Sequence, residues 1–170
     1  LKTLRSNSPS SWEVLPEVAR ILNFRLTVID HSTSFGCASN DDIMLNVVQS
    51  AGPFIMMSPN GSEVWTSGGK QFVSWQVAGT TAAPIGCSQV NILLSLDGGL
   101  NYPIILAEKT PNDGIQEIVV PNNATGTARV MIVGSGNVFF DISNADFTIQ
   151  INPRLFITTN VINPGCFGDN

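Results

Sequence analysis

Few residues in this chain have types that could do chemistry. It holds a single histidine, His31, which stands beside Asp30, and an acidic pair, Asp41-Asp42, follows ten residues later. Hard cations take clustered oxygen ligands, so Asp30, Asp41 and Asp42 are the candidate ligands for a calcium ion at the loop they flank. The stronger reading is plainer: acidic residues beside an exposed loop are ordinary solvated turn residues, and a histidine without partners is a surface histidine. Ser143, Asp141 and His31 make a triad by letter only, because no nucleophile elbow or other motif joins them. The three cysteines, Cys37, Cys87 and Cys166, have neither CxxC spacing nor a histidine cluster, so they give no zinc signature. Their odd number leaves at least one thiol free, buried or paired outside this segment. Cys87 directly precedes a strand-like run and reads as a small buried apolar residue. Cys166, in the loop-like Pro164-Gly165-Cys166-Phe167-Gly168, is the candidate for a partner beyond the chain's end, and the pairing of the three stays open.

The most structured motif is Ser95-Leu96-Asp97-Gly98-Gly99-Leu100-Asn101-Tyr102. It fits the pattern called an Asp box, with Asn101 where a threonine or serine is usual. Asp97 can accept hydrogen bonds from the turn's own backbone N–H groups while Tyr102 packs the far side, so one carboxylate and one ring staple the turn. Asp97-Gly98-Gly99 supplies the positive φ angles a tight hairpin needs. The functional reading, a calcium or sugar contact at the loop tip, is the weaker one, since function must be argued from a site.

The elements that position these residues read as strands. Lys70 to Leu106 holds three alternating runs, in which Phe72, Ser74 and Gln76 alternate with Val73, Trp75 and Val77, and Val90, Ile92 and Leu94 alternate with Asn91, Leu93 and Ser95. A period of two is the strand signal. Upstream, Asn23–Asp30 and Asp42–Val48 make a second hairpin, with Phe24, Leu26 and Val28 facing Ile43, Leu45 and Val47 inward and a loop holding His31, Asp41 and Asp42. Residues 12–20 read as an edge strand or irregular turn, because Pro16 deletes a backbone donor. Ser50-Ala51-Gly52-Pro53 is a boundary of small residues closed by proline. Beyond it come strands at Phe54–Met57, Val64-Trp65, Ile115–Val120, Thr127–Val133, Phe139–Ser143 and Asp146–Ile151, separated by Gly-, Pro- and Asn-rich turns. Short strands with turn signals at regular intervals predict an all-β chain: an antiparallel β-sandwich of immunoglobulin or fibronectin type III kind at residues 53–151. Trp75 fits the buried tryptophan of such sandwiches. Residues 1–52 read as the C-terminal part of another Ig-like sandwich, because one hairpin cannot close a core, and residues 152–170 as a linker.

Composition narrows the function classes. Charged residues are 12%, with three lysines and five arginines against 13 acidic residues and a net charge of −5. That balance gives no basic patch, so nucleic acid and anionic membrane surfaces are not expected partners. No apolar run approaches the ~20 residues of a membrane helix, and the first residues lack the apolar stretch of a signal peptide. Low charge with many neutral polar residues suits a secreted all-β protein.

Trp12-Glu13-Val14-Leu15-Pro16 with Arg20, Asn23-Phe24-Arg25-Leu26-Thr27-Val28, Asn40-Asp41-Asp42 and Ala51-Gly52-Pro53-Phe54 resemble the region behind the catalytic domain of bacterial secreted reprolysin-like zinc metalloproteases. The likeness continues through Val73–Thr80, Cys87, Leu94-Ser95 with Asp97-Gly98-Gly99, Thr110–Gly114, Ala128-Arg129-Val130 and Phe139–Asn144, to about residue 151. It implies accessory domains of a parent polypeptide that is an exported zinc protease, with zinc in that parent's catalytic domain. A zincin needs HExxH on a helix, and this sequence has one histidine, so no catalytic residue carries over. The expected function is a non-catalytic, secreted or cell-surface β-sandwich region, not an enzyme in itself, whose partners are other domains of its polypeptide or a neighbouring chain that completes residues 1–52. The alternative is an adhesion or polysaccharide-binding module, or a surface-fibre subunit completed by a neighbour's strands.

Overall fold

The computed structural model describes residue 16, residues 18–30 and residues 36–153. His31, Cys166, most of the 12–20 run and most of the linker at 152–170 lie outside the described residues. What is described is all-β. Eleven strands are present among these residues: β1 (Arg20–Ile29), β2 (Ala38–Val47), β3 (Ile55–Ser58), β4 (Val64–Thr66), β5 (Lys70–Gln76), β6 (Gln89–Ser95), β7 (Ile104–Pro111), β8 (Ile115–Val119), β9 (Thr125–Gly134), β10 (Phe140–Ile142) and β11 (Phe147–Gln150). A 3₁₀ turn, Gln49–Ala51, lies between β2 and β3. Among the described residues no helix is long and apolar enough to cross a membrane.

Residues 53–151 form two sheets over one core. The larger runs β4-β11-β9-β6-β7, with β10 also paired to β9, and the smaller runs β3-β5-β8. All pairings are antiparallel except β4 with β11, which is parallel and makes the larger sheet mixed. The alternation visible in the sequence decides which side chains meet. Val90, Ile92 and Leu94 of β6 and Ala128, Val130 and Ile132 of β9 are wholly buried, and they meet Val73 and Trp75 of β5 and Ile118 of β8. Burying one such aliphatic side chain contributes about 1.5–3 kcal/mol. Trp65 and Phe147, rings 4.6 Å apart, close the β4–β11 end of the core.

The three runs between Lys70 and Leu106 are indeed strands, but they do not form one sheet. β5 pairs with β3 and β8, while β6 pairs with β7 and β9. The segment 77–88 therefore carries the chain from one sheet to the other. The first unit crosses too, since β3 belongs to the smaller sheet and β4 to the larger. Glu63 holds the turn between them by accepting from the N–H groups of Asn60 and Gly61, both at 2.7 Å.

Around the first hairpin, strand extent and facing differ from expectation. β2 begins at Ala38, so Asp41 and Asp42 sit on a strand and not in the loop. Asn and Asp disfavour strands by local preference, and ten continuous pairs with β1 outweigh that preference here. Phe24 does oppose Ile43, but Leu26 opposes Asp41, Val28 opposes Ser39, and Leu45 opposes Leu22. The apolar face does not point inward. Phe24, Leu26, Val28 and Ile43 are each more than half exposed.

Candidate functional site

Two places collect the residues that the sequence singles out, the turn between β6 and β7 and the β1–β2 hairpin. The turn is built from Ser95 and Asp97. The Ser95 hydroxyl donates to Asp97 Oδ1 at 2.7 Å and accepts from the Gly99 N–H at 2.9 Å. Asp97 Oδ1 also accepts from the N–H groups of Leu100 and Asn101, both at 3.0 Å, and Oδ2 accepts from Asn101 Nδ2 at 2.8 Å. These bonds, the backbone and side chain of Asn101 foremost, hold the Asp97 carboxyl well below the usual carboxylate range. A carboxylate has about four acceptor positions, and four donors already converge here. Little capacity is left for a cation or a sugar hydroxyl.

Gly98 and Gly99 take φ of 71° and 84°, as a chain reversal of this kind requires. The connection spans residues 96–103 and is wider than a two-residue hairpin. It is stitched to β9 as well: Gly98 N–H donates to Thr127 O at 2.8 Å, and the hydroxyls of Thr125 and Thr127 donate to Leu96 O at 3.0 and 2.8 Å. Tyr102, half-buried, lies just before β7. Asn101 takes the motif's last hydroxyl position with an amide that still donates to the carboxylate, and this explains why the motif tolerates it.

The hairpin separates its acidic residues. Opposite Leu26 and Arg25 respectively, Asp41 and Asp42 send their carboxylates to opposite faces. Asp42 is engaged by Arg25 in a two-pronged pair, Nε to Oδ1 at 2.6 Å and Nη2 to Oδ2 at 2.7 Å. That contact lowers the Asp42 pKa and raises that of Arg25. Asp41 Oδ1 accepts from the Asp42 N–H. Asp30 lies four residues beyond Leu26, about 13 Å along the strand. The register thus does not gather Asp30, Asp41 and Asp42, and no group of three potential metal ligands occurs among the described residues. An open concavity of about 340 Å³ runs along the hairpin between Asn23, Phe24, Arg25, Asp42, Ile43 and Met44.

Asp141 and Ser143 are near one another in sequence but serve different contacts. Asp141 Oδ2 accepts from the Met56 N–H at 2.6 Å, tying β10 to β3. Burial pushes its pKa up, against the opposing hydrogen bonds from Met56 and Ile142. Ser143 is wholly buried, and its hydroxyl accepts from the Val130 N–H at 3.0 Å. Both side chains are engaged in hydrogen bonds within the fold.

A buried polar knot went unread in the sequence. Trp75 Nε1 donates to Asn112 Oδ1 at 2.8 Å, and Asn112 Nδ2 donates to Thr80 Oγ1 and to Cys87 O at 2.9 and 3.0 Å. Asn112 precedes Asp113-Gly114 and so has the local character of a turn residue; the signal that could find it is the need of a buried indole N–H for an acceptor. Cys87 itself is buried, with its thiol 3.2 Å from Gln89 O, and Cys37 is exposed.

No protein-family model matches this chain, and neither does any curated protein.

Proposed function

We propose that this chain is the non-catalytic β-sandwich region of a secreted or cell-surface bacterial protein, the accessory domains of a reprolysin-like zinc metalloprotease. Residues 53–151 are then a complete sandwich of immunoglobulin or fibronectin type III kind, and residues 1–52 the closing part of another. The observation that carries this reading is the β1–β2 hairpin, whose ten-residue strands expose Phe24, Leu26, Val28 and Ile43 on one face. A hairpin of this length is marginal by itself and needs further strands over its apolar face.

Strand order supports the sandwich type. β3, β5 and β8 would serve as A, B and E, and β6, β7, β9 and β11 as C, C′, F and G, with β4 and β10 as additions to the larger sheet. Antibody domains carry their core tryptophan on strand C and join their sheets by a disulfide. Here Trp75 lies on β5, and both described cysteines are free, which favours the fibronectin-like variant.

Zinc belongs to the parent's catalytic domain under this reading. The donor set here does not fit a zincin site, with one histidine in the whole sequence. Calcium at Asp30, Asp41 and Asp42 has no support from the register.

The runner-up class is a binding or fibre module. Trp65 and Trp75 are 3% and 4% exposed, so neither ring serves a sugar platform, which needs coplanar exposed aromatics. The open edges of β1 and β2 do favour completion by a neighbour's strands. The test is the polypeptide encoded with this segment: a domain bearing HExxH ahead of Leu1 is the expected result. A tandem array of similar sandwiches without that motif overturns it and brings the fibre or adhesin forward.

A further inference from the structure

The joint between the hairpin and the two-sheet unit contains an unusually close approach of backbone to backbone. Residues 49–51 form a 3₁₀ turn bonded to itself, Ala51 N–H to Val48 O at 3.2 Å and Gly52 N–H to Gln49 O at 3.3 Å. This turn does not hang free. The Gly79 N–H donates to Ala51 O at 2.5 Å, and a β-carbon at Gly79 would stand 2.8 Å from Ala51 Cα. Only glycine lets the two segments meet so closely. Ala51 is buried as a result.

The 77–80 segment that receives the turn is itself fixed to the core. Ala78 holds a positive φ of 52°, a region that L-residues adopt where the surroundings impose it. Thr80 N–H and Thr80 Oγ1 both donate to Val77 O, at 3.3 and 2.7 Å, and Cys87 N–H donates to Thr80 O at 2.8 Å. Thr80 Oγ1 then accepts from Asn112, whose other end receives the Trp75 indole. Hydrogen bonds on either side of the Gly79-Thr80 peptide thus connect Ala51, through the 77–80 turn and Asn112, to the buried tryptophan.

From this geometry we infer that residues 49–52 are a clamp and not a flexible tether: the boundary is docked on the sheet-to-sheet crossover, so that whatever the β1–β2 hairpin completes is held in a fixed orientation to the 53–151 unit. The sequence Ser50-Ala51-Gly52-Pro53 has the small-residue composition of a linker, and composition alone gives no hint of the docking. The inference does not depend on the identity of the parent polypeptide, since the clamp lies wholly within described residues.

Amide hydrogen exchange followed by NMR on the full 170-residue chain tests it. The Gly79 amide should exchange at least ~100-fold more slowly than an open loop amide, and the Ala51 amide should show an order parameter near the ~0.85 of rigid backbone. Gly79→Val should abolish that rigidity at residues 49–52. Because this variant adds a side chain beside the core, Ala51→Glu is the second arm: it leaves residues 77–80 unaltered, puts a carboxylate where Ala51 is buried, and should remove the Gly79 protection while the β6 and β9 amides stay protected. Fast Gly79 exchange in the unaltered chain overturns the inference. So does Gly79 protection that survives Ala51→Glu.

Discussion

Asn112 satisfies Trp75. Its Oδ1 accepts the indole N–H at 2.8 Å, and both of its amide protons go to acceptors of the 80–87 segment. The residue thus joins β5, the sheet-to-sheet crossover and the start of the 112–114 turn at one buried point. Asn112→Ala leaves the indole N–H, Thr80 and the Cys87 carbonyl with lost partners, and an unsatisfied buried group costs about 1–3 kcal/mol. The unfolding midpoint in urea should fall accordingly. In a Trp75→Phe background the same substitution should cost less, because no indole donor remains to be orphaned. Equal costs in the two backgrounds would place the Asn112 contribution elsewhere.

Asp97 should stabilise its turn in a pH-dependent way. Its folded-state pKa is depressed by donors from Asn101, Ser95 and Leu100, so its contribution is present above the unfolded carboxylate value of about 3.9 and is lost as the pH falls through the folded value. Asp97→Ala should lower the melting temperature at pH 7, and the gap to the parent should narrow progressively below pH ~4. Calcium should leave both melting temperatures where they are. A rise with calcium in the parent alone would establish a ligand role for this carboxylate.

For Asp141 the sign is reversed. Burial raises its folded-state pKa, so its favourable contribution is fully present below the unfolded value and is lost as the pH rises through the folded one. Asp141→Asn keeps an oxygen for the Met56 N–H and removes the buried charge. The variant should be at least as stable as the parent at pH 7, with its relative advantage fading towards pH 3. Thermal melts across that range decide it, and a variant markedly weaker at neutral pH would assign the ionised carboxylate a stabilising role.

The segment 53–151 is expected to unfold cooperatively by itself, and residues 1–52 are not. The first has two sheets closing over Ile92, Val130 and Trp75, whereas the second offers one hairpin with an exposed apolar face. Circular dichroism melts of the two segments test this. A cooperative transition in monomeric 1–52 would remove the need for completing strands.

Strand positions were legible because burial follows the period of two: Val90-Ile92-Leu94 and Val73-Trp75 announce their face residue by residue. Which strands pair was not legible. Nothing local in Lys70–Gln76 says that β5 leaves β6 for β8, because pairing depends on contacts distant in sequence. The Asp97 turn could be read since its donors lie within four residues of the carboxylate. The Asn112 knot and the Gly79–Ala51 contact could not, because their partners are 37 and 28 positions apart.

Peptide hydrolysis should be absent from the purified 170-residue chain, with or without added zinc. A zincin needs three protein ligands on the metal, an open position for water and a general base within reach of that water. The sequence offers one histidine. Of its three thiols, Cys37 is exposed beside the hairpin and Cys87 is buried against Gln89 O. Asp42 is paired to Arg25, and Asp41 leaves the opposite face of β2, so carboxylates alone would hold zinc loosely and leave it hydrated. Cleavage of a general protein substrate, measured with and without excess zinc, is the check, and no turnover above the buffer rate is expected in either case. Zinc-dependent turnover that disappears in His31→Ala would make the chain an enzyme and displace the accessory-domain reading.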